Sequence, residues 1–231
     1  MNNKFFGFTL AETLITLVIV GVIAALTVPN MIIKHQKEET VTKLKKAYSV
    51  LSQTTFKAIA DNGPINSWEI LSSSDDGSDK FNKKYLLPYL NVMKDCGNKA
   101  DEECEFVTHY IDGTNEEVLP NTYARFFLSD GTFIASRTWV NGNSYKYLTL
   151  RIDINGRKGP NRFGKDIFKY QYNLVRNDFE DGSTIEGKFM PEGFLRTPER
   201  LLEGCSRTGT GEVCATKIMK DSWQIKDDYP W

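Results

Sequence analysis

The chain has 231 residues, a net charge of −1 and a pI near 6.2, so it carries no global basic field of the kind that grips nucleic acid. Its charges are dispersed, and neither a low-complexity tail nor an internal repeat is visible; outside any membrane segment there is room for one domain of ordinary size. No Ser/His/Asp or Cys/His arrangement has a plausible spacing, and no glycine motif stands ready to cradle phosphate before a helix, so catalysis finds no support.

The first element is an apolar run. Gly7-Phe8-Thr9-Leu10-Ala11-Glu12 opens it, and it continues from Thr13 to Val28 before stopping at Pro29-Asn30. Its length matches the ~20 residues a helix needs to cross a bilayer. Glu12 is the single ionisable side chain inside it, and a charge at that depth is expensive unless something partners it. A Sec signal peptide would have a short core and a small-x-small cleavage site. Ala25-Leu26-Thr27 is a poor version of that site, and Glu12 intrudes on the core. A plain single-pass anchor explains the length but not Gly7, Phe8 and Glu12 together.

With Lys4 in a short polar leader, Gly7 just before Phe8, and Glu12 four residues further on, the segment resembles the N-terminus of type IV pilins and type II secretion pseudopilins. The resemblance implies a leader at 1–7 and a transmembrane, filament-core helix at 8–29. A prepilin peptidase would cut after Gly7 and methylate the new amine of Phe8, and Glu12 would meet the amine of a neighbouring subunit during assembly. The implied partners are that peptidase, other subunits in a homo- or hetero-filament, an inner-membrane assembly platform with its ATPase, and the lipid bilayer. The implied location is the bacterial inner membrane, single-pass, with the N-terminus cytoplasmic and the head outside, then a periplasmic or cell-surface filament. Lys34, Lys37, Lys43, Lys45 and Lys46 follow the run, so the positive-inside count alone would put the head in the cytoplasm. The cysteines favour the orientation that the resemblance implies.

Beyond Pro29 the helical pattern resumes on one face. Val41, Leu44, Tyr48, Leu51, Thr55 and Ile59 recur at three- and four-residue steps, and Asn62-Gly63-Pro64 is a stop signal. One helix from Thr9 to Asp61 is expected, with Pro29 kinking or loosening it and 30–62 forming its amphipathic half. Ser72 to Ser78 reads as a polar loop and Phe81 to Met93 as a short helix interrupted by Pro88. From Tyr123 the period changes to two: Tyr123–Leu128 and Thr132–Ser136 flank the turn residues Ser129-Asp130-Gly131. Strands at Tyr145–Ile154, Ile167–Val175 and Gly187–Met190 follow. Glu212–Lys220 reads as a helix and Trp223-Gln224-Ile225 as an extended closing piece. The fold class is α+β, pilin-like: a long N-terminal helix packed on the antiparallel sheet of a β-rich head at 63–231.

The four cysteines form two local pairs, Cys96 with Cys104 and Cys205 with Cys214. Neither spacing suits a zinc knuckle, and His35 and His109 are too scattered to complete one. An even count in an exported domain reads as disulfides; pairing by proximity is one of the three connectivities that four cysteines allow, and the sequence leaves all three open. The Cys205–Cys214 pair resembles the disulfide-bounded C-terminal region of many pilins, at a shorter spacing.

The stretch from Asp153 to Asp166 resembles loops in some pseudopilin-like heads, a few of which hold calcium. Asp153, Asn155 and Asp166 offer oxygens to a hard cation. It is no EF-hand, because Arg157 and Lys158 stand where a ligand and the invariant glycine would fall. Turn chemistry with no metal is the simpler reading of the same residues, and no other cofactor is expected.

The expected function is therefore a structural subunit, pilin or pseudopilin, and not an enzyme. Two rivals stay open: a membrane-anchored binding module that never polymerises, and a DNA-capturing competence pilin using Arg157, Lys158, Arg162, Lys165 and Lys169, whose basic character Asp153 and Asp166 dilute.

Overall fold

The computed structural model describes residues 7, 9–99, 101–142, 144–176 and 187–231. The chain divides into two compact units, 1–39 and 40–231, and helix α1 (Leu10–Asn62) contributes to both. In the first unit the helix is apolar on every side from Thr13 to Ile33 apart from Asn30, and Leu10, Leu17, Leu26 and Met31 are 81%, 69%, 69% and 74% exposed. Within this unit no described residue covers them, which is the signature of a segment whose solvent is lipid or other subunits. The helix continues through Pro29, which removes one backbone donor without ending it.

In the second unit α1 buries one face: Leu44, Ala47, Leu51, Thr54, Thr55 and Ala58, flanked by half-buried Val41, Tyr48 and Ile59. These are the positions that the three-and-four spacing selects. The helix stops where Gly63 takes φ +80° and its N–H bonds the Ile59 carbonyl at 2.9 Å, a left-handed cap that a Cβ would strain.

The sheet behind this face has six antiparallel strands in the order β1 (Val92–Gly97), β4 (Ala124–Leu128), β5 (Phe133–Asn141), β6 (Tyr145–Asp153), β7 (Ile167–Arg176) and β8 (Lys188–Pro191). Its alternation feeds two cores. Phe126, Leu128, Ile134, Leu148, Leu150, Ile152, Phe168, Tyr170 and Tyr172 share a cluster with the α1 stripe. Their strand neighbours Phe127, Phe133, Ala135 and Ile167 join Cys104, Phe106, Leu119, Tyr123 and Phe163 in a second cluster. That second face is covered by the connection bearing the small hairpin β2 (Val107–Thr108) and β3 (Glu117–Val118). Tyr48 of α1 stands 5.8 Å from Tyr170 and 5.9 Å from Phe189 between ring centroids. Thr55 Oγ1 lies 2.7 Å from the Tyr172 hydroxyl, and Lys46 pairs with Asp130 in the β4–β5 turn at 2.7 Å.

Two expectations are corrected, and one element was not foreseen. The helix expected at Phe81–Met93 starts earlier, as α2 (Gly77–Phe81), continues as a π turn at Asn82–Leu86, and ends in a 3-10 turn at Leu87–Tyr89. Pro88 has no N–H to continue the ladder, and Val92 and Met93 enter β1, where Val92 sits opposite Leu128. The expected extended piece at Trp223–Ile225 forms no strand: the chain turns at Asp221–Trp223, with Ser222 and Trp223 at φ +58° and +60°, and Gln224 and Ile225 follow as irregular chain. Helix α3 (Pro198–Gly204), started by Pro198 behind the Thr197 cap, has no counterpart in the periodicity reading; α4 (Cys214–Lys220) does.

Candidate functional site

The N-terminal site is built by three residues. Thr9 is the N-cap of α1. Its backbone N–H donates to Glu12 Oε2 at 2.8 Å, its hydroxyl reaches the same oxygen at 2.9 Å, and the Glu12 N–H donates back to Thr9 Oγ1 at 3.2 Å. This is a reciprocal capping box, Thr-x-x-Glu. It gives Glu12 a first partner inside its own chain, and it was legible as a motif directly before an apolar run. Both bonds from Thr9 go to Oε2, and among the described residues no donor reaches Oε1, so one carboxylate oxygen stays open to an outside donor. Gly7 stands two residues before the cap, and a Cβ built on it meets nothing within 4 Å. The fold therefore makes no demand for glycine at position 7. Phe8, the other expected processing residue, lies outside the described residues.

The cysteines form two bridges in the head. Cys96 in β1 joins Cys104, with Cα atoms 6.3 Å apart, and Cys104 is fully buried against the second core. Cys205 at the end of α3 joins Cys214 at the start of α4, with Cα atoms 5.0 Å apart. Loops this short contribute about 2–3 kcal/mol each in the chain-entropy account.

The third place of interest is the β6–β7 connection. Asp153 ends β6, and its Oδ1 accepts the Asn155 N–H at 2.9 Å. Asp166, just before β7, accepts the Asn161 N–H at 2.8 Å and the Arg162 N–H at 2.6 Å, and Asn155 Nδ2 approaches it at 3.4 Å. All three expected oxygen donors are thus brought into one hydrogen-bonded loop, and Asn161, which spacing did not single out, joins them. Asn161 takes φ +53°, a conformation Asn tolerates and most residues avoid. Asp153 is 1% and Asp166 3% exposed. Burial, reinforced by the charge of Asp166, pushes the Asp153 carboxyl up to about 8; burial likewise raises Asp166, against the pull of its backbone donors. Among the described residues, no group of three or more His, Cys, Asp or Glu could hold a metal, so any cation here would rest on two carboxylates and on amide oxygens.

The basic residues considered for DNA capture do not form a stripe. Lys169 turns inward to Glu212 at 3.1 Å and Glu192 at 3.9 Å, and Arg157 bonds the Glu102 carbonyl at 2.9 Å. The Arg162 guanidinium lies against Gly113, where a Cβ would come within 2.5 Å of it.

Two family models match the chain. Residues 2–28 match one described as the prokaryotic N-terminal methylation motif, and residues 30–231 match one described as a family of unknown function, DUF6613. No curated protein and no solved structure matches it.

Proposed function

We propose that this chain, which belongs to the family of unknown function DUF6613, is a filament subunit cleaved after Gly7, N-methylated at Phe8 and polymerised through its apolar helix. Its N-terminal segment is of the type IV pilin and pseudopilin kind, and it heads a long helix whose head-domain half packs on a six-stranded antiparallel sheet. The chain is thereby a pilin-type subunit, structural rather than catalytic in its general class, with an apolar helix suited to anchoring in a membrane.

One observation carries the finer reading. The lone ionisable group of the apolar helix sits in a capping box that begins one residue after the proposed new N-terminus, with one carboxylate oxygen left open. A capping box alone does not offset the cost of a carboxylate in lipid. The methylated amine of an adjacent subunit offers the missing charge, and only in the polymer. In this reading the protein enters the inner membrane with its head outside, meets a prepilin peptidase, and is added to a pilus or secretion filament by an assembly platform and its ATPase.

Mass spectrometry of the N-terminal peptide from cells tests it. Methylated Phe8 is expected. An intact Met1 would establish the anchored, non-polymerising module instead, and a product cut near Ala25-Leu26-Thr27 would establish a signal peptide. Because a side chain at position 7 has open space in the fold, Gly7→Val should leave a folded, full-length, membrane-bound precursor. Normal maturation of that variant would refute the reading.

A further inference from the structure

We propose that Asn141 is a site of covalent self-modification, the residue at which the folded head deamidates to aspartate and isoaspartate. The chain has three Asn-Gly steps, Asn62-Gly63, Asn141-Gly142 and Asn155-Gly156. After such an asparagine the next backbone nitrogen is unhindered, because glycine has no Cβ. That nitrogen attacks the asparagine Cγ. Its proton goes to solvent, ammonia leaves, and a succinimide ring closes. Water then cleaves either of the ring's acyl C–N bonds, leaving aspartate or, with an extra methylene in the main chain, isoaspartate. The attack needs a free glycine N–H and a side-chain amide able to swing back to it.

At Asn62 and Asn155 the fold withholds both. The Gly63 N–H is spent on the Ile59 carbonyl at 2.9 Å in the cap of α1, and the Asn62 amide donates to the Ala58 carbonyl at 3.0 Å and the Tyr89 hydroxyl at 3.1 Å. In the β6–β7 connection the Asn155 amide approaches Asp166 at 3.4 Å, and the Gly156 N–H serves the Asp153 carboxyl. Gly156 is also wedged in place. It has φ +68°, and a Cβ there would lie 2.3 Å from the Gly131 carbonyl oxygen, so its peptide cannot turn without parting the β4–β5 turn from the β6–β7 connection.

The β5–β6 turn has none of these restraints. Asn141 and Gly142 are both exposed. Among the described residues no hydrogen bond reaches the Asn141 side chain, and none engages the Gly142 N–H. A Cβ on Gly142 would meet nothing within 4 Å, so the ring has room to close. The turn is held by the Ser144 N–H, which donates to the Asn141 carbonyl at 2.9 Å, and Asn141 opposite Tyr145 is the last rung of the β5–β6 ladder. Opening a hairpin end costs far less than opening a core strand. The product carries a carboxylate where a neutral amide stood, so older subunits acquire a charge at the hairpin tip that new ones lack. In the isoaspartate form the extra methylene breaks the last rung, while the pair Trp139 and Tyr147, with ring centroids 6.2 Å apart, holds the hairpin behind it. This inference concerns the head alone and stands whether or not the subunit polymerises.

The test ages the folded full-length chain in detergent, in mildly alkaline buffer, beside a sample held in denaturant. Mass spectrometry follows the tryptic fragment 138–146 and those bearing Asn62 and Asn155. Electron-transfer fragmentation separates isoaspartate from aspartate, and Asn141 from Asn143. In denaturant all three Asn-Gly steps should react at comparable rates. In the folded chain Asn141 should react first, with isoaspartate among its products and one new acidic band on isoelectric focusing, and Asn62 and Asn155 should be slower by about tenfold or more. Asn141→Gln, whose longer side chain disfavours closure of the ring, should abolish that band and leave the thermal melt unchanged. The proposal is overturned if Asn62 or Asn155 reacts as fast as Asn141 in the folded chain, or if Asn143 takes the modification instead. It is equally overturned if Asn141 stays intact in the folded chain while the denatured one deamidates there, or if the acidic band persists in Asn141→Gln.

Discussion

Thr55 and Tyr172 join the long helix to the sheet, and their two deletions should differ in cost although they remove the same hydrogen bond. The Thr55 hydroxyl also lies 2.7 Å from the Leu51 carbonyl, to which it donates, so across the 2.7 Å contact it is Tyr172 that donates. In Tyr172→Phe the Thr55 hydroxyl keeps its bond to Leu51, and the loss is that of one ordinary hydrogen bond, about 1 kcal/mol. In Thr55→Val the Tyr172 hydroxyl, fully buried beneath Trp68, Phe81 and Phe189, is stranded without an acceptor. That carries the desolvation penalty of an unpaired group as well, about 2–3 kcal/mol in all. For a chain of this size 1 kcal/mol moves Tm by about 2–4 °C, so Thr55→Val should melt roughly 4–12 °C lower and Tyr172→Phe about 2–4 °C lower. The double variant replaces both partners with apolar groups of similar shape and should recover stability relative to Thr55→Val alone. Thermal melts of the full-length chain in detergent, followed by near-ultraviolet circular dichroism, complete the double-mutant cycle. Equal single costs, or a double variant that loses their sum, would refute the donor assignment and the reasoning built on it.

Other outcomes follow from the same geometry. Glu12→Gln retains the acceptor of the capping box but not the charge, so it should insert and be cleaved normally yet assemble poorly in cells lacking the wild-type copy; normal filaments from this variant would remove any assembly role for the charge. Thiol labelling of denatured, unreduced protein should find essentially no free cysteine, and replacing both Cys205 and Cys214 with Ser should cost about 2–3 kcal/mol in chemical unfolding. At Asp130, burial favours the protonated form, but the contact with Lys46 and the Thr132 amide outweighs it and holds the carboxyl below its ordinary 3.8. A depressed carboxylate stabilises the fold above its unfolded value and loses that contribution as pH falls through its folded one. Asp130→Asn should therefore flatten part of the acid limb of a Tm–pH curve below about pH 4, and an unchanged acid limb would mean that the contact contributes nothing.

What the sequence by itself determined is whatever depends on neighbours along the chain. The apolar run, the three-and-four stripe from Val41 to Ile59, the Asn62-Gly63-Pro64 stop and the Ser129-Asp130-Gly131 hairpin are all local signals, and the long helix and the strands from Ala124 to Met190 follow them closely. The Thr9–Glu12 cap was equally local and equally readable. Tertiary structure decided the rest. Strand β1 is short, polar and interrupted by two register shifts, and it is a strand only because the edge of β4 supplies its partners. Arg125 stands mid-strand where an apolar residue would be expected, and it is fully buried because the carbonyls of Leu119, Pro120, Tyr123 and Asn98 converge on its guanidinium. Asn161 became a site residue only when a left-handed turn folded it back towards Asp166. Local periodicity reports which face of an element is buried, and a charge or an amide acquires its role only from donors and acceptors that lie far away in the chain and close in space.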